Sequence, residues 1–270
     1  MPELPEVETV IRYLQPYLAS KTILKLLHHN DYSNVFSSHS PKEISRSVQG
    51  QTIQKIWRRG KYIVFTLECG YLYFHLRMTG QLVTTIENQN HKYITAELFF
   101  SDKTSLYFKD YRKFGRIGYT QSLSCINQLV GVEPLGSWFT MPRFQKELKK
   151  RKWQIKPLLL DQSFICGLGN IYVDECLWRS CIHPQTTSNK LQSKNVEMLY
   201  QSIVTILREA ISLNGTTIIN FQYGENNVGN FKQFLKVYAR ERLPCFRCKN
   251  KIKKVFIGQR GTYFCNICQR

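Results

Sequence analysis

Apolar residues Val7, Val10, Ile11, Leu14 and Leu18 recur at helical spacing just after Pro5. Glu6 and Glu8 fall in the first turn of that pattern, where the helix dipole favours carboxylates. The pattern predicts an opening amphipathic helix. From about Thr22 to Tyr119 the period changes to short β-branched and aromatic runs: Tyr62 to Leu67, Tyr71 to Leu76, Ile94 to Phe100 and Ser105 to Phe108. Turn residues separate these runs, which predicts antiparallel strands in a sandwich or barrel. Beyond Arg143 the period becomes helical again, over about Pro142 to Lys150, Asn170 to Ser180 and Ser193 to Leu213. Gly131-Val-Glu-Pro-Leu-Gly136 interrupts both periods and marks a linker. The expected order is a sandwich over residues 1–130, a linker over 131–141, a helical domain over 142–235 and a C-terminal element over 236–270.

A chain of 270 residues with 43% hydrophobic positions can bury a core in each of two domains. Its net charge of +19, from 38 Lys and Arg against 19 Asp and Glu, is spread along the chain. With no basic amphipathic helix or lipidation signal to favour a membrane, the implied partner is nucleic acid. A plainly lysine-rich, soluble surface is the competing reading. No apolar run reaches the roughly 18 residues that span a bilayer. The start, Met-Pro-Glu-Leu-Pro-Glu, is acidic and unlike a secretory leader. A cytoplasmic, nucleoid-associated protein is expected.

Five of the nine cysteines are scattered, and four form two tight pairs. Cys245-x2-Cys248 and Cys265-x2-Cys268 are separated by sixteen residues, the pattern of a four-thiolate structural zinc site with two ligands from each knuckle. Lys249, Lys251, Lys253, Lys254 and Arg260 make the intervening segment basic. Val255 to Ile257 and Thr262 to Phe264 read as a hairpin turning near Gly258 to Gly261. A basic zinc hairpin suits phosphate contact, yet serves a ribosomal or transcription module as well as an enzyme.

The start Met-Pro-Glu-Leu-Pro-Glu-Val-Glu-Thr, Arg59-Gly-Lys61-Tyr, His75-Leu-Arg-Met78-Thr-Gly80, Asp110-Tyr-Arg112-Lys-Phe114-Gly115, Gly167-Leu-Gly-Asn170 and Gln259-Arg260-Gly-Thr-Tyr-Phe-Cys occur in that order. Together they resemble the formamidopyrimidine-DNA glycosylases, which share a fold with endonuclease VIII. The likeness runs from residue 1 to residue 270. It implies an α+β architecture: a two-layered antiparallel β-sandwich with an N-terminal helix, a helical helix-two-turns-helix domain, and a C-terminal zinc β-hairpin. It also implies a monomer, with double-stranded DNA bearing oxidised bases in the cleft between the domains.

The resemblance assigns roles. After removal of Met1, Pro2 offers a secondary amine whose neutral fraction at pH 7 exceeds that of lysine, so it can attack C1′ and form a Schiff base. Left to themselves, Pro2 and Pro5 read as helix-starting prolines. Glu3 would be the acid-base carboxylate, while Glu6 either orients the site or caps the helix. Lys61 would donate a proton or bind a phosphate beside the lesion. Met78 would fill the gap left by an extruded base, Phe114 would wedge beside the partner base, and Arg112 would hydrogen-bond the orphaned base. Asn170 and Arg260 would grip the flanking phosphates, with Arg260 also serving the second elimination. Arg151, Lys156 and Tyr238 would add DNA contacts. Met78 and Phe114 read otherwise as core, and the lysines as solvated surface.

Three positions depart from the family pattern without removing a catalytic group: Arg77, Tyr111 and Lys113. The sandwich-domain histidine that contacts DNA has two competing counterparts, His91 and Tyr93. A lesion-covering loop is expected over about 222–231. The implied activity is a glycosylase and lyase excising 8-oxoguanine opposite cytosine and formamidopyrimidines, followed by β,δ-elimination. An endonuclease VIII-like preference for oxidised pyrimidines, or a damage-binding zinc protein without chemistry, are the competing readings. A ribosome-associated zinc protein would not need the acidic N-terminal motif.

Overall fold

Helix α1 (Leu4–Leu18) forms where the apolar period places it. Pro5 lies in the first turn, where its missing N–H costs no helical bond, and Glu3 and Glu6 close a capping box. The stripe of Leu4, Val7, Val10, Ile11, Leu14 and Leu18 is buried. The computed structural model of the chain describes residues 2–29, 32–86, 88–218, 221–224 and 227–270, with residues 88–90 described by their backbone alone.

Eight strands form two four-stranded antiparallel sheets. One runs in the order β1 (Ile23–His28), β6 (Ile94–Phe100), β7 (Ser105–Asp110), β5 (Gly80–Val83). The other runs β2 (Ile53–Arg59), β3 (Tyr62–Leu67), β4 (Tyr71–His75), β8 (Arg116–Thr120). Phe74 of the second sheet meets Phe108 of the first at 6.0 Å between ring centres, and Phe65 packs on Phe74 at 5.2 Å. These rings lie in one core with Leu72, Leu98, Phe100, Ile117 and the stripe of α1. This is the two-layered sandwich that the alternating runs imply. Helix α2 (Pro41–Val48) breaks the all-strand expectation between Thr22 and Tyr119. It has its own signal, a Ser40/Glu43 capping box with Pro41 at the first helical position. A short helix α3 (Ser124–Asn127) follows β8.

The remaining helices are α4 (Met141–Lys149), α5 (Ile155–Leu160), α6 (Asn170–Arg179) and α7 (Ser193–Ser212). Helix α6 is buried from Ile171 to Trp178 and is the centre around which its neighbours pack. Strands β9 (Lys253–Ile257) and β10 (Arg260–Phe264) form a hairpin with Arg260 opposite Ile257. Its turn is tighter than the sequence implied, only Gly258 and Gln259, both at positive φ.

The chain divides into two compact units, residues 1–127 with 213–230, and residues 128–212 with 231–270. The segment 213–230 thus belongs with the sandwich, although the residues on both sides of it belong with the helices. No helix among the described residues is long and apolar enough to cross a membrane.

Candidate active site

Pro2 and Glu3 are buried at the start of α1. The Glu3 backbone N–H donates to Glu6 Oε2 at 2.7 Å, and the other oxygen, Glu6 Oε1, accepts from the Thr216 N–H at 2.7 Å. Glu6 therefore caps the helix and also fastens the base of segment 213–230. Gly215 makes this approach possible: its φ is +76°, and a Cβ there would lie 2.7 Å from Glu6 Oε1. Further along, Gly224 lies against the ring of Tyr13, and Tyr223 meets Tyr13 edge-on at 6.1 Å. Within the expected lesion-covering loop, residues 225 and 226 lie outside the described residues, as does Met1.

Lys61 follows Gly60 in the turn from β2 to β3, where φ is +58° at the glycine, and its side chain is 5% exposed. Across the β3–β4 pair, Tyr62 faces His75, whose ring it meets edge-on at 4.8 Å. His75 Nδ1 accepts from the Arg77 N–H at 3.1 Å. Burial drives the His75 pKa down to about 3, helped by the charges of Arg77, Lys61 and Arg116, so the imidazole is neutral at pH 7. Sequence reasoning did not single out His75; its place beside the Met78 turn was the available signal.

Met78, Arg112 and Phe114 come together from two separate loops. Buried Asp110 organises the second loop, its Oδ1 accepting from the Arg112 N–H at 3.1 Å and its Oδ2 from the Gly115 N–H at 2.7 Å. Gly80 closes the first loop onto the Leu76 carbonyl, which a Cβ would approach to 2.6 Å. Arg112 then lies 4.7 Å above the Phe114 ring and donates to Met78 Sδ at 3.3 Å. Met78 and Phe114 are each 43% exposed, so neither is core. Of the two candidates for the missing histidine, Tyr93 lies against Tyr111, the rings tilted at 4.2 Å between centres, whereas His91 is exposed.

In the second unit, Arg260 is exposed on the hairpin and Asn170 opens α6, its Nδ2 donating to the Gly261 carbonyl at 2.8 Å. Two segments 91 positions apart thus meet beside Arg260. Tyr238 packs edge-on against Tyr263 at 5.1 Å. Arg151 pairs with Glu147 at 2.6 Å and lies over Phe164. Lys156 is placed otherwise than expected. It is fully buried, with its ammonium 2.7 Å from Asp174 and 3.2 Å from the Gly261 carbonyl. A DNA contact would require that ammonium at the surface; a charge in this position is held by its carboxylate instead. Burial raises the Asp174 carboxyl to about 7 against the pull of Lys156 and the Tyr263 N–H. Next to it, buried Glu175 accepts from the backbone N–H groups of Lys236, Val237 and Tyr238. Sequence reasoning missed both acids, whose only signal was two carboxylates on an otherwise apolar helix face.

The thiols of Cys245, Cys248, Cys265 and Cys268 all lie within 4.8 Å of one another. Tetrahedral zinc with Zn–S bonds of about 2.3 Å separates its sulfurs by about 3.8 Å, so the cluster fits one structural zinc ion. Trp178 Nε1 donates to Cys245 Sγ at 3.4 Å, and Arg247 stacks on the Trp178 ring at 4.0 Å. The knuckles are thereby joined to α6.

Residues 1–117 match the formamidopyrimidine-DNA glycosylase N-terminal domain, residues 130–222 the H2TH domain of that glycosylase, and residues 242–270 the zinc finger found in FPG and IleRS. A formamidopyrimidine-DNA glycosylase of Pelotomaculum thermopropionicum is 42% identical, covering 100% of this chain and 99% of the relative. Lactococcus lactis Fpg (MutM), solved with DNA containing an N7-benzyl-Fapy-dG, superposes with a TM-score of 0.89 at 34% identity, covering all of both chains. A MutM solved with DNA containing carbocyclic 8-oxo-G does so with a TM-score of 0.90 at 35% identity over the same full coverage.

Proposed function

The chain belongs to the formamidopyrimidine-DNA glycosylase family, and we propose on that premise how its residues carry out the family's reaction. It is a base excision repair enzyme that releases an oxidised purine from duplex DNA and then cleaves the strand as an AP lyase. It works as a single chain and holds one structural zinc.

With Met1 removed, the Pro2 amine attacks C1′ of the damaged nucleotide and the base departs. The resulting iminium acidifies the proton at C2′, whose loss expels the 3′ phosphate; a second elimination expels the 5′ phosphate. Glu3, one residue from the amine, is placed to protonate the opening sugar and to shuttle protons between these steps. The Glu6 bond to the Glu3 N–H limits where that carboxylate can go. Lys61 supplies a proton or a phosphate contact beside a neutral His75, so no second charge from the imidazole competes with it. Arg260 and Asn170 grip the flanking phosphates, and Arg260 assists the second elimination.

The preassembled Met78, Arg112 and Phe114 cluster is the observation that carries the reading. Two exposed apolar side chains gathered around a guanidinium are costly on a free surface. They match the need to replace an extruded base with apolar bulk and to satisfy its orphaned partner. Arg151, Tyr238 and His91 add outer DNA contacts. A cytoplasmic, nucleoid-associated enzyme is the corresponding location. Duplexes carrying 8-oxoguanine opposite cytosine, or thymine glycol opposite adenine, test the substrate class. Faster incision at 8-oxoguanine, leaving phosphate on both ends of the gap, is expected. Faster incision at thymine glycol would move the enzyme to the endonuclease VIII side.

A further inference from the structure

The Lys156–Asp174 pair has no part in the reaction as derived above, yet both side chains are deeply buried, at 0% and 1% exposure. Removing two charges from water is costly, and apolar replacements of such pairs are often as stable, so stability alone is a weak account of it. The pair also bonds the strand bearing Arg260. Two of these bonds are Asp174 Oδ2 accepting from the Tyr263 N–H at 2.9 Å and Lys156 Nζ donating to the Gly261 carbonyl at 3.2 Å. Two backbone groups just beyond Arg260 are thereby fixed to α5 and α6.

The same Gly261 carbonyl receives Asn170 Nδ2 at 2.8 Å, while Asn170 Oδ1 is buried with no hydrogen-bond partner. The side-chain amide is therefore oriented from one end only. An amide nitrogen has two N–H donors; with one on Gly261, the direction of the other is set. A flipped amide would put its oxygen against the carbonyl. Asn170 and Asp174 are four residues apart on one face of α6, so a continuous route runs from Asp174 through Lys156 and Gly261 to the Asn170 donor.

We infer that Asp174, acting through Lys156 and the Gly261 carbonyl, is a positioning residue that orients Asn170 and the Arg260 strand toward the DNA phosphate. The inference rests on the phosphate-gripping roles proposed above for Asn170 and Arg260. Lys156 thus serves DNA binding from inside the protein instead of by contact.

Binding to a duplex with one tetrahydrofuran abasic analogue, which cannot be cleaved, tests this by a double-mutant cycle between Asp174 and Asn170, two side chains joined through the route above. Asp174→Asn should weaken binding about tenfold, as should Asn170→Ala alone. In the Asp174→Asn background, Asn170→Ala should cost less than about threefold, because the donor is already misdirected. The slope of log affinity against log salt should fall by about 0.9, one phosphate contact, with zinc still at one per chain. The double variant Lys156→Met/Asp174→Leu removes the pair without stranding a charge, and it carries the same test should Asp174→Asn fail to fold. Additive losses, unchanged binding in Asp174→Asn, or loss of zinc from the folded variants would overturn the inference, the last by showing a purely structural pair. Wild-type protein that does not prefer the analogue to intact duplex would overturn the functional reading itself, and the inference with it.

Discussion

His75 ends β4 with its imidazole among Lys61, Arg77 and Arg116, and burial together with those charges holds its pKa at about 3. The unfolded chain takes up that proton near the ordinary value of about 6.5, so below that pH the unfolded state binds a proton that the folded state refuses. The folded pKa is depressed, and the stability concerned is present above about pH 6.5 and lost as the pH falls toward 3. Each unit costs about 1.4 kcal/mol, or about 2.5 kcal/mol between pH 6.5 and 4.5. Carboxylates and zinc ligands also respond to acid, so the comparison is with His75→Gln, whose amide oxygen can still accept from the Arg77 N–H but cannot titrate. Urea unfolding of both proteins at the two pH values isolates the difference. Wild type should lose about 2.5 kcal/mol more than the variant. Equal losses would refute the reasoning and place a protonated imidazole, and a different charge balance, beside Lys61.

Gly215→Ala forces a side chain into a left-handed backbone and against Glu6, costing about 1–2 kcal/mol in backbone strain alone. Single-turnover base release should slow with it, and unchanged rates would contradict the Glu6 clamp. Phe114→Ala removes a half-exposed ring, so unfolding stability should stay within about 0.5 kcal/mol. Its affinity for a damaged duplex should fall by about 1–3 kcal/mol; equal binding would remove the wedge. Chelating the zinc should unfold the finger, since structural zinc contributes about 10–16 kcal/mol in isolated fingers. A change in Trp178 fluorescence, absent in Trp178→Phe, reports it through the Cys245 contact; an unaltered signal after zinc release would count against the coupling.

What the sequence revealed follows from how local each signal is. Helix α1, β3 and β6 were legible because their periods are strong and each buries one face or two. The zinc knuckles were legible because ligand spacing is set by metal geometry within a few residues. Helix α2 was hidden by its shortness among strands, although its Ser40 and Glu43 cap was written in the chain. The return of 213–230 to the first unit was not legible, since Glu6 and Thr216 are 210 positions apart and neither residue type announces the bond. Lys156 was misjudged for the same reason: a lysine before Pro157 in a basic stretch reads as surface until Asp174 is brought beneath it. Residues reached through short motifs, such as Met78 and Phe114, were placed by their glycines, and the glycines at 80 and 115 indeed shape those loops.

Borohydride trapping on an 8-oxoguanine duplex, with the adduct mapped to a peptide, tests the central claim most directly. The account predicts a protein–DNA adduct at the Pro2 amine that is lost when Glu3 is replaced by Gln and persists when Lys61 is replaced by Ala at a lower rate. An adduct mapped to a lysine would contradict it, as would strand cleavage with no adduct from protein shown to begin at Pro2.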